Sequence, residues 1–265
     1  MLSNDVRPAA VAGMFYPGQP GELTAQVDSL LSSALPVSTT CPKVLIVPHA
    51  GYIYSGQVAA SAYGLLDNYR GLIERVVLLG PSHQVPLHGM AVPGSKSFET
   101  PLGLIPIDEE GVKRVSELKN VVLRDDAHRQ EHSLEVQLPF LQRSLDGFTL
   151  LPVVVGLCDP GDVAALIESE WGDEKTLLVI STDLSHYLPY GSARTQDQST
   201  AEKILSMRAD LRGDQACGCH PLNGMLLAAN RRGMKIDALD LRNSGDTAGS
   251  RDRVVGYGAF ALYEI

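Results

Sequence analysis

Short runs of apolar residues alternate along this chain with longer, helix-like stretches. Four runs stand out: VLIVP at 44–48, RVVLLG at 75–80, TLLPVVVG at 149–156 and TLLVIS at 176–181. Apolarity that is continuous, rather than present at every second position, marks strands buried on both faces, as in a parallel sheet covered by helices. Helices are expected over 20–34, 57–69, 109–118, 131–145, 160–171, 195–208 and 221–232, with two late strands near 236–242 and 254–263. The pattern predicts an α/β fold, a three-layer sandwich around a mostly parallel central sheet. The Gly and Pro concentration at 86–106 reads as a hairpin excursion rather than a linker. With 265 residues, no internal repeat and no low-complexity segment, one domain spanning 1–265 is expected.

Composition changes this picture mainly by exclusion. Hydrophobic residues at 44% and charged residues at 20% are ordinary globular usage, so disorder is not expected. A net charge of −9 with scattered Arg and Lys would repel phosphate backbones, which argues against a nucleic-acid partner. Apolar runs such as Leu150 to Leu157 are far shorter than the roughly 20 residues of a membrane helix. The N-terminal stretch MLSNDVRPAAVAGMFYPG lacks the basic start and apolar run of a signal peptide, and a cytoplasmic address is expected. Cys217 and Cys219 are too close for a comfortable bridge, so the four cysteines are expected to be reduced, and CGC lacks the spacing of a zinc knuckle.

The histidines carry the chemistry. VLIVP leads into His49, RVVLLGPS into His83 and TLLVISTDLS into His186. Ligands of open α/β sheets bind beyond the carboxyl ends of strands, so side chains distant in sequence can converge there. Neutral imidazole is a donor for zinc, iron or copper, and strand ends hold it rigidly. His186, with a reference pKa of about 6.5, is suited to moving protons. Asp183 could orient it, face a metal, or cap the following turn. His132 and Glu135 lie three positions apart, so on a helix both could face the cleft. Tyr52 and Tyr54 follow His49 and are expected as pocket walls, with Gly51 and Gly56 letting that loop bend. His220, preceding Pro221, reads as part of a helix start, while His128 is a weaker candidate and His88 has no evident partner.

Several segments together are similar to the Memo family: RPAAVAGMFYPG near the N-terminus, PHAGYIYSG (48–56), GPSH (80–83), FETPLG (98–103), EHSLEVQLPFLQ (131–142), STDLSHY (181–187) and NSGD (243–246). The resemblance implies a fold related to the class III extradiol dioxygenases, in which two histidines and a third donor hold a non-haem metal, usually ferrous iron. His49 and His83 match the two histidine ligands, and His186 falls where those enzymes keep a catalytic histidine. Animal Memo proteins draw a cysteine from the loop that here reads NSGDTAGS, and the dioxygenases use a glutamate; this chain has neither at that place. Asp246 is the strong donor of that loop and is expected as third ligand, unless it only shapes the turn and Thr247 occupies the cysteine-equivalent position.

The implied cofactor is a divalent metal, iron(II) first, with zinc or copper as alternatives. The implied activity is a metal-dependent, dioxygenase-like oxidoreductase acting on a small molecule. Two other readings stay open: a peptide- or ligand-binding adaptor using the same cleft, since animal Memo proteins bind phosphotyrosine peptides, and a metal-assisted hydrolase. The family resemblance also implies a radical SAM protein and an AMMECR-type domain as pathway partners.

Overall fold

The computed structural model describes residues 5–34 and 40–265, so Met1 to Asn4 of the N-terminal stretch lie outside the described residues. The chain runs through β1 (Val6–Arg7), β2 (Val44–Val47), β3 (Arg75–Pro81), β4 (Met90–Val92), β5 (Ser97–Thr100) and β6 (Gly103–Pro106). It continues through β7 (Val121–Leu123), β8 (Thr149–Val155), β9 (Thr176–Ser181), β10 (His186–Leu188), β11 (Lys235–Asn243) and β12 (Val254–Tyr263). The main sheet has the order β10-β12-β2-β9-β3-β8-β4-β7, with β11 paired to β12. Its centre, β2-β9-β3-β8, is parallel and consists of the four apolar runs. Every residue of β2 and of β9 is buried, as the continuous apolarity requires. The excursion is divided: β4 joins the main sheet antiparallel to β8, while β5 and β6 form a hairpin that β1 extends into a second, small sheet.

The helices are α1 (Pro20–Ser33), α2 (Tyr52–Tyr63), α3 (Glu109–Val115), α4 (Asp125–Arg129), α5 (His132–Glu135), α6 (Leu138–Ser144), α7 (Pro160–Ser169), α8 (Tyr190–Leu205) and α9 (Cys219–Arg231). They cover both faces of the sheet. Helices α7 and α9 pack on each other, with α9 against β3 and β9, whereas α1, α2 and α6 form a second group with α2 against β2, β11 and β12. Local chemistry places several starts. Asp159 accepts from the Gly161 N–H ahead of Pro160, and Asp108 accepts from the Gly111 N–H.

Three predicted helices differ from the observed ones for local reasons. The stretch 131–145 is two helices, because Pro139 has no N–H to offer the Glu135 carbonyl one turn back. Helix α2 starts at Tyr52 instead of 57, and its expected C-terminal part, Gly64–Tyr69, is a 3-10 helix. Helix α8 starts at Tyr190 instead of 195 because Pro189 leads directly into its first turn, where no intrahelical donor is needed. The strands β7 and β10, of three residues each, carry too few positions to show a period. The four cysteines are free, as expected. No helix among the described residues is long and apolar enough to cross a membrane.

His128, in α4, is a core residue at 1% exposure. Its Nε2–H donates to the Ala91 carbonyl at 3.0 Å, and its Nδ1 has no partner. Burial drives its pKa down from 6.5 to about 4. The unfolded chain therefore binds the extra proton between those two values, so this contribution to stability is whole above pH 6.5 and is lost as the pH falls towards 4. The shift corresponds to about 3 kcal/mol. Denaturant titrations across pH 7 to 4 are expected to show wild type losing about that much more stability than His128→Leu, whereas parallel profiles would show that His128 is not held neutral.

Candidate metal centre

Three adjacent parallel strands end side by side, and each delivers a polar residue two positions beyond its end: His49 after β2, Asp183 after β9 and His83 after β3. Helix α5 sits over these ends. Gly80 permits the approach, since a Cβ there would lie 2.8 Å from both Leu134 Cδ2 and Ser133 Oγ. Hydrogen bonds then fasten the helix. The Ser133 hydroxyl donates to Pro81 O (2.9 Å), Gln137 Nε2 donates to Pro48 O and to Ser181 Oγ (both 2.9 Å), and Ser181 donates to Ser133 O (2.6 Å). This seating brings in His132. Ring centroids are 5.1 Å apart for His49 and His83, 5.5 Å for His49 and His132, and 4.6 Å for the stacked His83 and His132. One nitrogen from each of the three lies within 4.8 Å of the others.

Hydrogen bonding sets the tautomers. The single proton of the Ser181 hydroxyl is committed to Ser133 O, so Ser181 Oγ accepts from His49 Nδ1–H at 2.8 Å. His83 Nδ1–H donates to the Glu131 carboxylate at 2.9 Å. Both rings therefore carry their free lone pair on Nε2, the arrangement that partners of metal-binding histidines usually enforce. Glu131 also accepts from the backbone N–H of His83 (2.6 Å) and of Ser133 (2.9 Å). Burial acts to raise the Glu131 pKa, but the hydrogen bonds and charge of His83 and the backbone donors overcome it and bring the group to about 2. Burial first, and the neighbouring imidazoles second, push His49 well below its ordinary pKa and lower His132 as well. His49 and His132 thus favour the neutral form, the form that binds metal.

A cavity of about 610 Å³ opens on this group and is lined by His49, His83, His132, Asp183, His186 and Tyr54, with aromatic walls from Phe15, Tyr187 and Tyr257. His186 Nδ1–H donates to Leu184 O at 2.9 Å, leaving Nε2 as the proton acceptor. Asp183 Oδ1 accepts from the His49 backbone N–H at 2.8 Å, and burial raises its carboxyl to about 7. Of the expected site residues, His49, His83, His132, Asp183, His186 and Tyr54 are brought together.

Tyr52, Glu135 and Asp246 are not. Tyr52 is buried and donates from its hydroxyl to Val136 O at 2.7 Å, with its ring against Phe140 in the packing between α2 and α6. Glu135 shares a short helix with His132, but the cavity covers one end of that helix and the N-terminal segment covers the other. Its carboxylate pairs with the buried Arg7 and accepts from Ala10 N (2.8 Å), Val11 N (2.9 Å) and the Tyr16 hydroxyl (2.6 Å). Asp246 is claimed by its own turn: Oδ2 accepts from Asn243 N at 3.1 Å in a capping box, and Oδ1 accepts from the Tyr190 hydroxyl at 2.5 Å. It lines a neighbouring cleft with Arg194, and the ring nitrogen that lies within 4.8 Å of those of His49 and His83 belongs to His132. The late loop does reach the cavity, through Ser244, Gly249 and Ser250.

Two contributors were not legible in the sequence. Glu131 stood inside the recognised motif with nothing to distinguish it from a surface carboxylate. Cys217 lies 35 residues beyond Thr182, yet its Sγ is 3.3 Å from His49 Nε2. Burial raises the thiol pKa, so the S–H donates to the His49 lone pair while Sγ accepts from the Asp183 N–H at 3.3 Å. The Cys217 backbone N–H donates to Asp183 O at 3.2 Å, a tertiary contact between segments far apart in the chain.

This α/β architecture, with a histidine group at the ends of its parallel strands, matches a known family. A family model described as Memo-like protein covers residues 7–261, and the chain belongs to that family. It is 38% identical over 264 residues to a MEMO1 family protein of Aquifex aeolicus, covering 95% of this chain and 97% of the relative. A MEMO1 family protein of Methanosarcina barkeri is 35% identical, covering 97% and 100% of the two chains. The fold is also similar to the crystal structure of the uncharacterized protein JW3007 of Escherichia coli K12, with a TM-score of 0.53, 15% identity, and coverage of 81% of this chain and 98% of that one.

Glu135→Ala would leave Arg7 buried without a counter-charge, and urea denaturation is expected to show a loss of about 3–5 kcal/mol. Asp246→Ala removes a turn cap and the acceptor of the Tyr190 hydroxyl, and is expected to cost about 1 kcal/mol. Equal losses in the two variants would contradict the separate roles assigned here.

Proposed function

We propose that the protein is a metal-dependent oxidoreductase of the extradiol-dioxygenase type, with His49, His83 and His132 holding one divalent cation, iron(II) foremost and zinc or copper as alternatives. The observation that carries this reading is the meeting of three imidazole nitrogens within 4.8 Å at a cavity that also holds two proton-exchanging groups. The donor set fits such a cation: burial favours the neutral form of His49 and His132, Ser181 and Glu131 orient the rings of His49 and His83, and two of the three stand at the ends of rigid strands. A bound metal would supply Lewis acidity and, as iron, electron transfer to oxygen.

The chain's own residues would do the remaining work. His186 Nε2 is the base that takes a proton from a ligand hydroxyl, since its Nδ1 is already committed to Leu184 O. Asp183, with a carboxyl near 7, is divided between its acid and base forms at neutral pH and can exchange a proton in the same cavity. Phe15, Tyr54 and Tyr257 narrow the cavity and limit water. Cys217 gives its S–H to His49 and so occupies that lone pair until a cation competes for it.

Anaerobic loading with iron(II), followed by gel filtration and elemental analysis, is expected to leave a full equivalent of metal on wild type and on Asp246→Ala. His49→Ala, His83→Ala and His132→Ala are each expected to fall to background. Glu131→Gln should retain the site with affinity reduced about 10–100-fold, because it loses the partner that orients His83. A native chain that holds neither iron, zinc nor copper, or an Asp246→Ala variant as empty as His132→Ala, would overturn the assignment.

A further inference from the structure

The strand β10 breaks the rule that consecutive side chains lie on opposite faces. His186 and Tyr187 both line the cavity. The cause is an irregularity in the pairing with β12: His186 stands opposite Val255 and Leu188 opposite Val254, leaving Tyr187 without a regular place. Tyr187 adopts φ +58°, a left-handed conformation that an aromatic residue rarely takes, and it remains 62% exposed. Nothing gained by burial offsets that strain, of about 1–3 kcal/mol. Strain of this kind, held on an exposed aromatic at the mouth of a cavity, points to a ligand contact.

Arg253 is the second observation. Its guanidinium lies over the Tyr187 ring at 5.0 Å from the centroid, and among the described residues it is the single Arg or Lys lining the cavity. Among the described residues it makes no ion pair, in a chain where 31 acidic residues outnumber 22 basic ones. An arginine stacked on an aromatic keeps its planar fork of donors open at the edge, the geometry that receives a carboxylate. The net charge of −9 would otherwise turn an anion away.

From the strained Tyr187, the stacked and unpaired Arg253 and the aromatic walls of a cavity of about 610 Å³, we propose that the ligand is a small planar organic acid whose carboxylate pairs with Arg253 while its ring lies among Phe15, Tyr54 and Tyr187. This rests on the reading of the cavity as the ligand site beside the metal centre, and it names the class of ligand. Arg253 is a specificity-determining residue: it selects an acid over its neutral analogue and holds the far end of the molecule while the other end faces the histidines.

The test uses metal-free protein, so that a carboxylate cannot simply bind the cation. Isothermal titration with benzoate and with benzyl alcohol is carried out on wild type, Arg253→Gln, Arg253→Lys and His83→Ala. Arg253→Gln is expected to weaken benzoate about tenfold or more, in line with the loss of a charge-assisted pair, and to leave benzyl alcohol unchanged. Arg253→Lys should recover part of the loss, and His83→Ala should keep the preference for benzoate although it has lost the metal. If wild type shows no benzoate binding, or binds it no better than Arg253→Gln does, the proposal fails even if the metal centre is sound. If wild type shows the preference but takes up no iron, zinc or copper on loading, the anion site stands and the oxidoreductase reading falls. Since Arg253 is exposed, unchanged thermal midpoints will show that the variants are folded.

Discussion

The site depends on the seating of a one-turn helix, α5, on the carboxyl ends of β2, β9 and β3. A missing side chain at Gly80 allows the contact, and the hydroxyls and amide of Ser133, Ser181 and Gln137 hold it. The strands alone would present two histidines and an aspartate. The helix adds His132 and, from the residue just before it, the Glu131 carboxylate that orients His83. Because α5 is too short to be stable by itself, its position is set by these contacts rather than by helix propensity.

The same contacts explain how so much polar chemistry is buried in one place. Neutral imidazoles cost far less to bury than imidazolium ions, and the low pKa of His49 and His132 reflects that. The one fully ionised group behind them, Glu131, is tolerated because two backbone N–H groups and an imidazole N–H satisfy it. On the opposite side of α5, Glu135 is satisfied by Arg7, two backbone donors and a tyrosine hydroxyl. Two glutamates of one motif, Glu131 and Glu135, therefore have separate tasks, one behind the histidines and one tying down the N-terminal segment that carries Phe15 to the cavity wall.

Much of the fold was legible because its four central strands are buried on both faces and so read as unbroken apolar runs. The expected convergence of His49, His83 and His186 came from those runs, since ligands of open α/β sheets bind beyond the carboxyl ends of the strands, and all three line the cavity. The break at Pro139 was present in the sequence and outweighed by the helical character of the segment around it. Helix α8 opens with YGSAR, which has no apolar period, so hydrophobic patterning passes over its start although Pro189 marks it.

By itself, the sequence determined the strand core, the placing of His49, His83, Asp183 and His186 at one end of the sheet, and membership of a family whose motifs lie in order along the chain. Those properties are local: they depend on apolar runs and on which residue follows each run. The tertiary structure decided that His132 and not Asp246 joins the two histidines, that Glu135 and Tyr52 serve the packing, and that Cys217 and Arg253 border the site. Each of those outcomes is a competition for a partner between groups far apart in the chain. A carboxylate goes to the nearest unsatisfied donors, which for Asp246 are its own turn and Tyr190, and for Glu135 the buried Arg7. Spacing along the chain carries no record of that distance.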